Sequence, residues 1–300
     1  MRTIGFLHSG SQENFREAWN TFKKMVPADV QIKDKYAKDD AGVLKKLAAE
    51  LVNDRSIEVI VAAGGPQPAL VLKELTSTMP IVFTTVADPV LSGLVDRLDK
   101  PGRNLTGMAG QTSELDAERL QRLVEFTQAH LKQGDKIGVL EKEGRDSADH
   151  HFKKVADKAN EERLKCALVR FPVSTVGGIA DAFESFKEEG VKGVVVTADS
   201  FFNNNRKEVV KQAAAKRLPT IYQWKEFVDE GGLVSYGPSL LEAYETAGKC
   251  VTEILSGKSP ATIPCSKPSR FELCVSKTAA LELGIDIPKD LLGDAVRVIE

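Results

Sequence analysis

Residues 57–85 read IEVIVAAGGPQPALVLKELTSTMPIVFTT. The run from Ile57 to Ala63 is apolar except at Glu58. That is strand-sized and far short of the ~20 residues that span a bilayer. Gly64-Gly65 ends the run, and Pro66 suits the first turn of a helix, where a missing N–H costs nothing. A second apolar run begins at Ile81. Strand, glycine turn, helix and strand make a βαβ unit, and strands apolar on both faces belong to a parallel sheet covered by helices on both sides.

The same rhythm extends outward. Upstream, strand 3–8 precedes a helix whose Phe15, Ala18, Trp19, Phe22 and Val26 share one face at the helical period. Strand 30–36 alternates, and helix 40–53 has Leu44, Leu47, Ala48, Leu51 and Val52 as its buried stripe. After 105–108 the pattern restarts with helices expected at 114–129, 148–161, 178–189 and 204–216, and strands at 136–140, 168–172, 193–198 and 219–222. The tail is less regular: strand 233–236, helix 240–256, a proline-punctuated stretch 259–268, strand 271–276 and a short helix from Lys277. It is too short for a third domain. The chain is therefore expected to cross back to the first lobe near 236–238 and to return within 259–268. The fold class is α/β: two doubly wound, Rossmann-like parallel-sheet lobes joined by a three-stranded hinge. The first lobe is residues 1–111 plus about 237–262, the second 112–236 plus about 263–300, with a ligand cleft between them. The first hinge strand lies near 110–114.

A chain of 300 residues suits two lobes of ~150 each. The formal charge of −2 gives no electrostatic footprint for nucleic acid or for an anionic membrane surface. Met1 and Arg2 lead straight into the first strand without a signal-peptide pattern. The chain is then either cytoplasmic or a mature form whose export signal has been removed. The cysteines Cys166, Cys250, Cys265 and Cys274 lack the C-x-x-C spacing of zinc or redox sites; Cys166, Cys250 and Cys274, on expected strands and a helix, read as buried, inert thiols. A bridge between Cys265 and Cys274 stays open in an oxidising compartment.

In open α/β sheets ligands bind beyond the carboxyl ends of the strands. Here those loops are small and rich in hydroxyls: Ser9-Gly10-Ser11, Gly64-Gly65-Pro66 and Thr84-Thr85-Val86-Ala87-Asp88-Pro89. Each reads either as ordinary turn and cap chemistry or as a set of N–H donors for an anion such as a carboxylate. Three on one sheet edge favour a site. The second lobe offers Ala198-Asp199-Ser200-Phe201-Phe202, Tyr222-Gln223-Trp224 and Ser235-Tyr236-Gly237-Pro238 at the same edge. A carboxylate facing N–H donors suits a zwitterion, with aromatics walling its side chain. Asp199 equally suits a helix N-cap, and Phe201 and Phe202 the core.

Catalytic signatures are missing: no G-x-x-x-x-G-K-[ST], no G-x-G-x-x-G after a strand, no G-x-S-x-G and no H-E-x-x-H. No catalytic residue, metal site or cofactor is expected. His150-His151 belongs to a charged helix start and reads as solvated surface; His8 reads as core or cleft lining.

Ile81-Val82-Phe83-Thr84-Thr85-Val86-Ala87-Asp88-Pro89-Val90 with Pro101-Gly102-Arg103-Asn104-Leu105-Thr106-Gly107 resembles the signature of one ABC-transporter substrate-binding family, that of tryptophan- and tyrosine-uptake lipoproteins. Further matches are Leu218-Pro219-Thr220-Ile221-Tyr222, Glu226-Phe227-Val228, the stretch from Gly231 to Pro238, Arg270-Phe271-Glu272-Leu273, and Thr278-Ala279 with Leu283-Gly284-Ile285-Asp286-Ile287-Pro288. The resemblance covers nearly the whole chain. It implies a type I periplasmic binding fold and a monomer that captures a small solute, an amino acid (aromatic or branched-chain) or related carboxylate. It implies delivery to an ABC permease and its ATPase, from a periplasmic or lipid-anchored extracytoplasmic position. Carried onto this chain, the ligand-binding positions are Ser9, Ser11, Gly65, Thr85, Val86 and Ala87 in the first lobe, and Asp199, Tyr222 and Tyr236 in or beside the second. Two stretches depart from the family pattern. Residues 24–30 are shorter, and the loop 141–147 is charged, which leaves room for another polar or acidic ligand.

Two rivals share the architecture. A two-cysteine racemase needs thiols facing each other from both lobes, yet all four cysteines come late in the chain. A ligand-sensing domain of the same fold needs an output module, and none precedes Thr3 or follows Glu300 in this sequence.

Overall fold

The computed structural model describes residues 2–300 except 111, 128–131, 133, 144–147, 162, 163 and 165. Gln111 at the first expected hinge strand, most of the charged loop after Glu143, and the side chains of His150 and His151 lie outside the described residues. In chain order the elements are β1 (Thr3–His8), α1 (Arg16–Met25), β2 (Gln31–Tyr36), α2 (Ala41–Asn53), β3 (Ile57–Ala63), α3 (Pro66–Leu75), β4 (Ile81–Val86) and β5 (Leu105–Ala109). Then follow α4 (Thr112–Thr127), β6 (Asp135–Lys142), α5 (Ala148–Glu161), β7 (Cys166–Val173), α6 (Val176–Glu188), β8 (Gly193–Val196), α7 (Ser200–Asn204), α8 (Arg206–Ala215) and β9 (Thr220–Tyr222). The last are α9 (Lys225–Asp229), β10 (Val234–Pro238), α10 (Leu240–Leu255), β11 (Phe271–Ser276), α11 (Lys277–Leu283), α12 (Lys289–Asp294) and β12 (Arg297–Ile299).

The chain forms two α/β units: Met1–Gln111 with Ser239–Arg270, and Thr112–Pro238 with Phe271–Glu300. It passes between them three times. In unit 1 the strand order is β2-β1-β3-β4-β5, all parallel. The apolar runs β1 and β3 take central positions, while the alternating, half-exposed β2 takes the edge. Leu7, Leu51, Ile60, Phe83 and Leu105 belong to one apolar cluster. A separate aromatic nest brings Phe6 within 4.6 Å of Trp19 and 5.3 Å of Phe22, centroid to centroid. Burying each such ring contributes about 1.5–3 kcal/mol. The long helix α10 completes this unit by packing against α1, β3, β4 and β5.

Unit 2 has the order β12-β11-β10-β9-β8-β6-β7. Only β10–β11 is antiparallel among the described pairs. Strands β6 to β10 taken alone repeat the topology of unit 1, and the C-terminal segment adds β11 and β12. Gly138 in β6 lets Phe186 of α6 lie directly on the strand, since a Cβ there would sit 2.3 Å from the ring.

Three details differ from the expectation. Expected helix 204–216 is α8, and a separate short helix, α7, precedes it; the two are divided at Asn205, whose side-chain amide turns back to donate to the Phe201 carbonyl at 2.8 Å. The short elements α9, α12 and β12 were not expected. The proline-punctuated stretch 259–268 stays in unit 1, held by Cys265 N–H to Leu98 O (2.7 Å), Ser266 N–H to Gly107 O (3.0 Å) and Ala109 N–H to Ser266 O (2.8 Å). The third passage therefore follows Arg270.

Candidate functional site

Doubly wound sheets bind ligands beyond the carboxyl ends of their strands, where the strand order reverses. In unit 1 that switch lies between β1 and β3, in unit 2 between β6 and β8.

At the unit 1 switch the loops lock into one another. His8 is fully buried; its Nδ1 accepts from Gly10 N–H at 2.9 Å, so the ring proton sits on Nε2 and points to Tyr244 Oη, 3.1 Å away. Burial pushes the imidazole down to about 3, because nothing there compensates a charge. Ser9 Oγ donates to Gly64 O at 2.6 Å, and Ser9 N–H to Ala63 O at 3.1 Å. Gly64 has φ +85°, and a Cβ on it would stand 2.4 Å from Ser9 Oγ and 2.7 Å from the His8 ring. Gly65 follows with φ 96° and ψ −169°, a conformation that only glycine adopts readily. The sequence thus spends both glycines on bringing two strand-end loops into contact.

Ser9 and Val86 are buried, while Ser11, Gly65, Thr85 and Ala87 are half-buried at this edge. The Thr84 hydroxyl is buried without a hydrogen-bond partner among the described residues. Asp88 shapes the loop after β4 by accepting from Val90 N–H (3.0 Å) and Leu91 N–H (2.8 Å). The start of α3 is a poorer anion site than its sequence position suggests: Pro66 and Pro68 have no N–H, which leaves Gln67 as the backbone donor of that first stretch.

At the unit 2 switch Asp199 ends the extended segment after β8, and its Oδ1 accepts from Phe201 N–H at 2.8 Å as cap of α7. Gln223 Nε2 donates to Asp199 O at 3.3 Å. Tyr222 and Tyr236 stand elsewhere. The Tyr222 ring is buried and stacked on Phe227 (4.7 Å, 11°), packed against Gly232 in the unit 2 core. On a strand, Tyr222 shares its face with Thr220, and here that face is core. Tyr236 points at α4, with the Arg122 guanidinium 4.1 Å from its ring centre and Phe271 stacked at 6.3 Å. Its partly buried hydroxyl is raised above the usual phenol range.

The sequence reading missed a buried pair. Arg119 and Asp116, one turn apart on α4, are both fully buried and joined by a charged hydrogen bond. Arg119 Nε also donates to Tyr236 O at 2.6 Å. Arg119 Nη2 has no partner among the described residues. Gly237 lies beside it, 3.3 Å from Nη2 to where a Cβ would stand. The only signal in the sequence is an acid and a base at i, i+3, the pattern of any solvated helix.

A cavity of about 270 Å³ lies at the opposite, N-terminal edge of the unit 2 sheet, bounded by Leu218, Thr220, Tyr222 and Leu283. Ala213, Ala214, Gly231 and Gly232 leave that space by their small size. All four cysteines are free thiols; Cys250, Cys265 and Cys274 are buried, and burial raises Cys250 to about 12. Among the described residues no group of three His, Cys, Asp or Glu is placed to hold a metal ion, and no helix is long and apolar enough to cross a membrane.

Two α/β lobes with parallel-sheet cores, each with its strand-end loops at a switch point, are the architecture of type I periplasmic binding proteins. The chain belongs to the ABC transporter substrate binding protein family, whose sequence model matches residues 22–299. A tyrosine-binding protein of Clostridioides difficile (strain R20291) is 24% identical over 296 residues, covering 99% of this chain and 79% of the relative. The ABC domain from Streptococcus pneumonia in complex with L-Trp superposes with a TM-score of 0.89 at 22% identity, covering 99% of both chains. A conserved domain protein of Vibrio cholerae superposes with a TM-score of 0.87, also at 22% identity and 99% of both chains. More distant neighbours include a solute binding protein of Thermotoga lettingae in complex with 5-methylthioribose, with a TM-score of 0.64 at 13% identity over 97% of this chain and 90% of that one. The fold therefore serves ligands of more than one chemical class.

Proposed function

We propose that this chain is the solute-capturing subunit of an ABC importer, that its solute is an amino acid with an aromatic side chain, and that it catalyses no reaction. The reading rests above all on the unit 1 switch point, where Ser9, Gly64 and Gly65 are locked into a preformed edge beside Ser11, Thr85, Val86 and Ala87. A preformed edge of small residues suits a carboxylate. Asp199 supplies the counter-charge for the ammonium, and Phe201 and Trp224, both half-buried beyond the unit 2 strands, supply apolar wall. Tyrosine or tryptophan is favoured over branched-chain residues because relatives spanning nearly the whole chain bind these two. The three passages between the units act as the hinge for closure. Delivery goes to a permease and its ATPase, which places the protein outside the cytoplasmic membrane.

Titration calorimetry against tyrosine, tryptophan, leucine and simple aromatic acids tests the ligand class. A ligand at 100 times its Kd adds about 2.7 kcal/mol to stability, enough to raise the melting temperature by several degrees. Asp199→Ala is expected to weaken amino-acid binding by about 30-fold or more, through the loss of a buried charge partner. An affinity left intact removes Asp199 from the site. Chemical change of the bound compound, seen by mass spectrometry, overturns the non-enzymatic reading.

A further inference from the structure

Asn203 is fully buried, yet neither atom of its side-chain amide has a hydrogen-bond partner among the described residues. Its backbone is well held: the N–H donates to Asp199 O at 3.3 Å, and the carbonyl accepts from Arg206 Nη1 at 3.2 Å. The neighbouring Asn205 shows the usual outcome for an amide here, a 2.8 Å bond to Phe201 O. Buried polar groups are nearly always paired, by protein, water or ligand. A fully buried amide with both ends idle is therefore a place where something else belongs.

Its position says what. Asn203 lies in α7, directly beyond β8 at the unit 2 switch point, one helical turn after Asp199. Beside Asn203 the rings of Phe201 and Phe202 pack edge to face at 5.3 Å. The amide is neutral and offers donor and acceptor side by side. That suits poorly an ammonium or carboxylate, which charged groups and strand-end N–H groups meet better. It matches a neutral group that donates or accepts a single hydrogen bond at the rim of an aromatic ring.

We infer that Asn203 reads the polar atom on the ligand's ring, the phenol hydroxyl of tyrosine or the indole N–H of tryptophan. This rests on the aromatic amino-acid reading given above. A ligand without that atom leaves the amide buried and idle, so the site discriminates by omission as well as by attraction.

The test compares matched ligand pairs by calorimetry: tyrosine with phenylalanine, and tryptophan with 3-benzothienylalanine, in which sulfur replaces the N–H. The wild type is expected to prefer the hydrogen-bonding member of at least one pair by about 10- to 100-fold. Asn203→Leu, of similar size and apolar, is expected to bring that ratio to within about 3-fold while the protein stays folded by thermal melting. Asn203→Ala serves the same comparison if the leucine variant does not fold. A ratio unchanged in the variants overturns the inference, as does a wild type that binds both members of each pair equally. An Asn203 satisfied by a structural water would give lower melting with the ratio intact. If the wild type binds none of the four compounds, the aromatic reading itself falls and takes the inference with it.

Discussion

The carboxyl-end edges of the two sheets share one topology and finish it in opposite ways. In unit 1, His8, Ser9, Gly64 and Tyr244 satisfy one another without any net charge, although the Thr84 hydroxyl is buried without a hydrogen-bond partner among the described residues. In unit 2, Asn203 and Arg119 Nη2 are buried and unsatisfied near the same edge, and the Asp116–Arg119 pair brings full charges into the interior. The difference teaches that topology fixes where a site can lie, and side chains decide which half is a finished cradle. The neutral edge holds its loops together largely through its own hydrogen bonds. The other edge is stable only against the cost of its buried polar atoms.

The largest expected effect probes the charged half. Asp116→Ala leaves a buried guanidinium without its carboxylate and should cost about 3–5 kcal/mol by urea unfolding, whereas Asp116→Leu with Arg119→Met should come out near neutral. Equal costs for the single and double variants would mean that the pair is not a burden on unit 2. Next comes the cradle. Gly64→Ala forces a side chain into a left-handed backbone and against Ser9 and His8, for an expected loss of about 2–3 kcal/mol. A near-neutral alanine would show the unit 1 edge to be softer than described.

Protonation gives a third, smaller effect. His8 is neutral in the folded protein down to about pH 3, while an unfolded histidine takes up its proton near 6.5. The unfolded state thus binds more protons in that window, so stability is complete above pH 6.5 and falls with acid by about 1.4 kcal/mol per unit. Between pH 6.5 and 5 this amounts to about 2 kcal/mol, and a His8→Gln variant should show a flatter profile over that range. The smallest effect is a control on the surface of unit 1. The exposed Arg97–Asp99 pair at 2.8 Å is open to solvent, so Arg97→Ala should leave the melting temperature unchanged.

Most of the βα alternation was legible, because apolar runs such as 57–63 and 81–86 have no other use in a chain of this composition. The unit 1 loops were legible too, since Ser9 and Gly65 stand directly after such runs. What escaped depends on packing between distant segments. Asp116 and Arg119 look like surface charge until β10 is laid beside α4. Tyr222 looks like a strand-end aromatic until the alternation of β9 sends it inward with Thr220. The run Asn203-Asn204-Asn205 falls at the expected start of helix 204–216, and nothing in it tells the buried amide from the bonded one.

Helix α10 carries a consequence for how the protein comes into being. It packs on α1 and on three strands of unit 1, yet it is translated only after β6 to β10 of unit 2. The first 111 residues therefore emerge from the ribosome with one flank of their sheet bare, and they must wait for most of the remaining chain before that flank is covered. Unit 2 waits in turn for Phe271–Glu300, which brings β11 and β12. Neither half can mature alone, so the nascent chain stays uncommitted until nearly its last residues, and a truncated product would present the apolar face meant for α10 as a surface for aggregation.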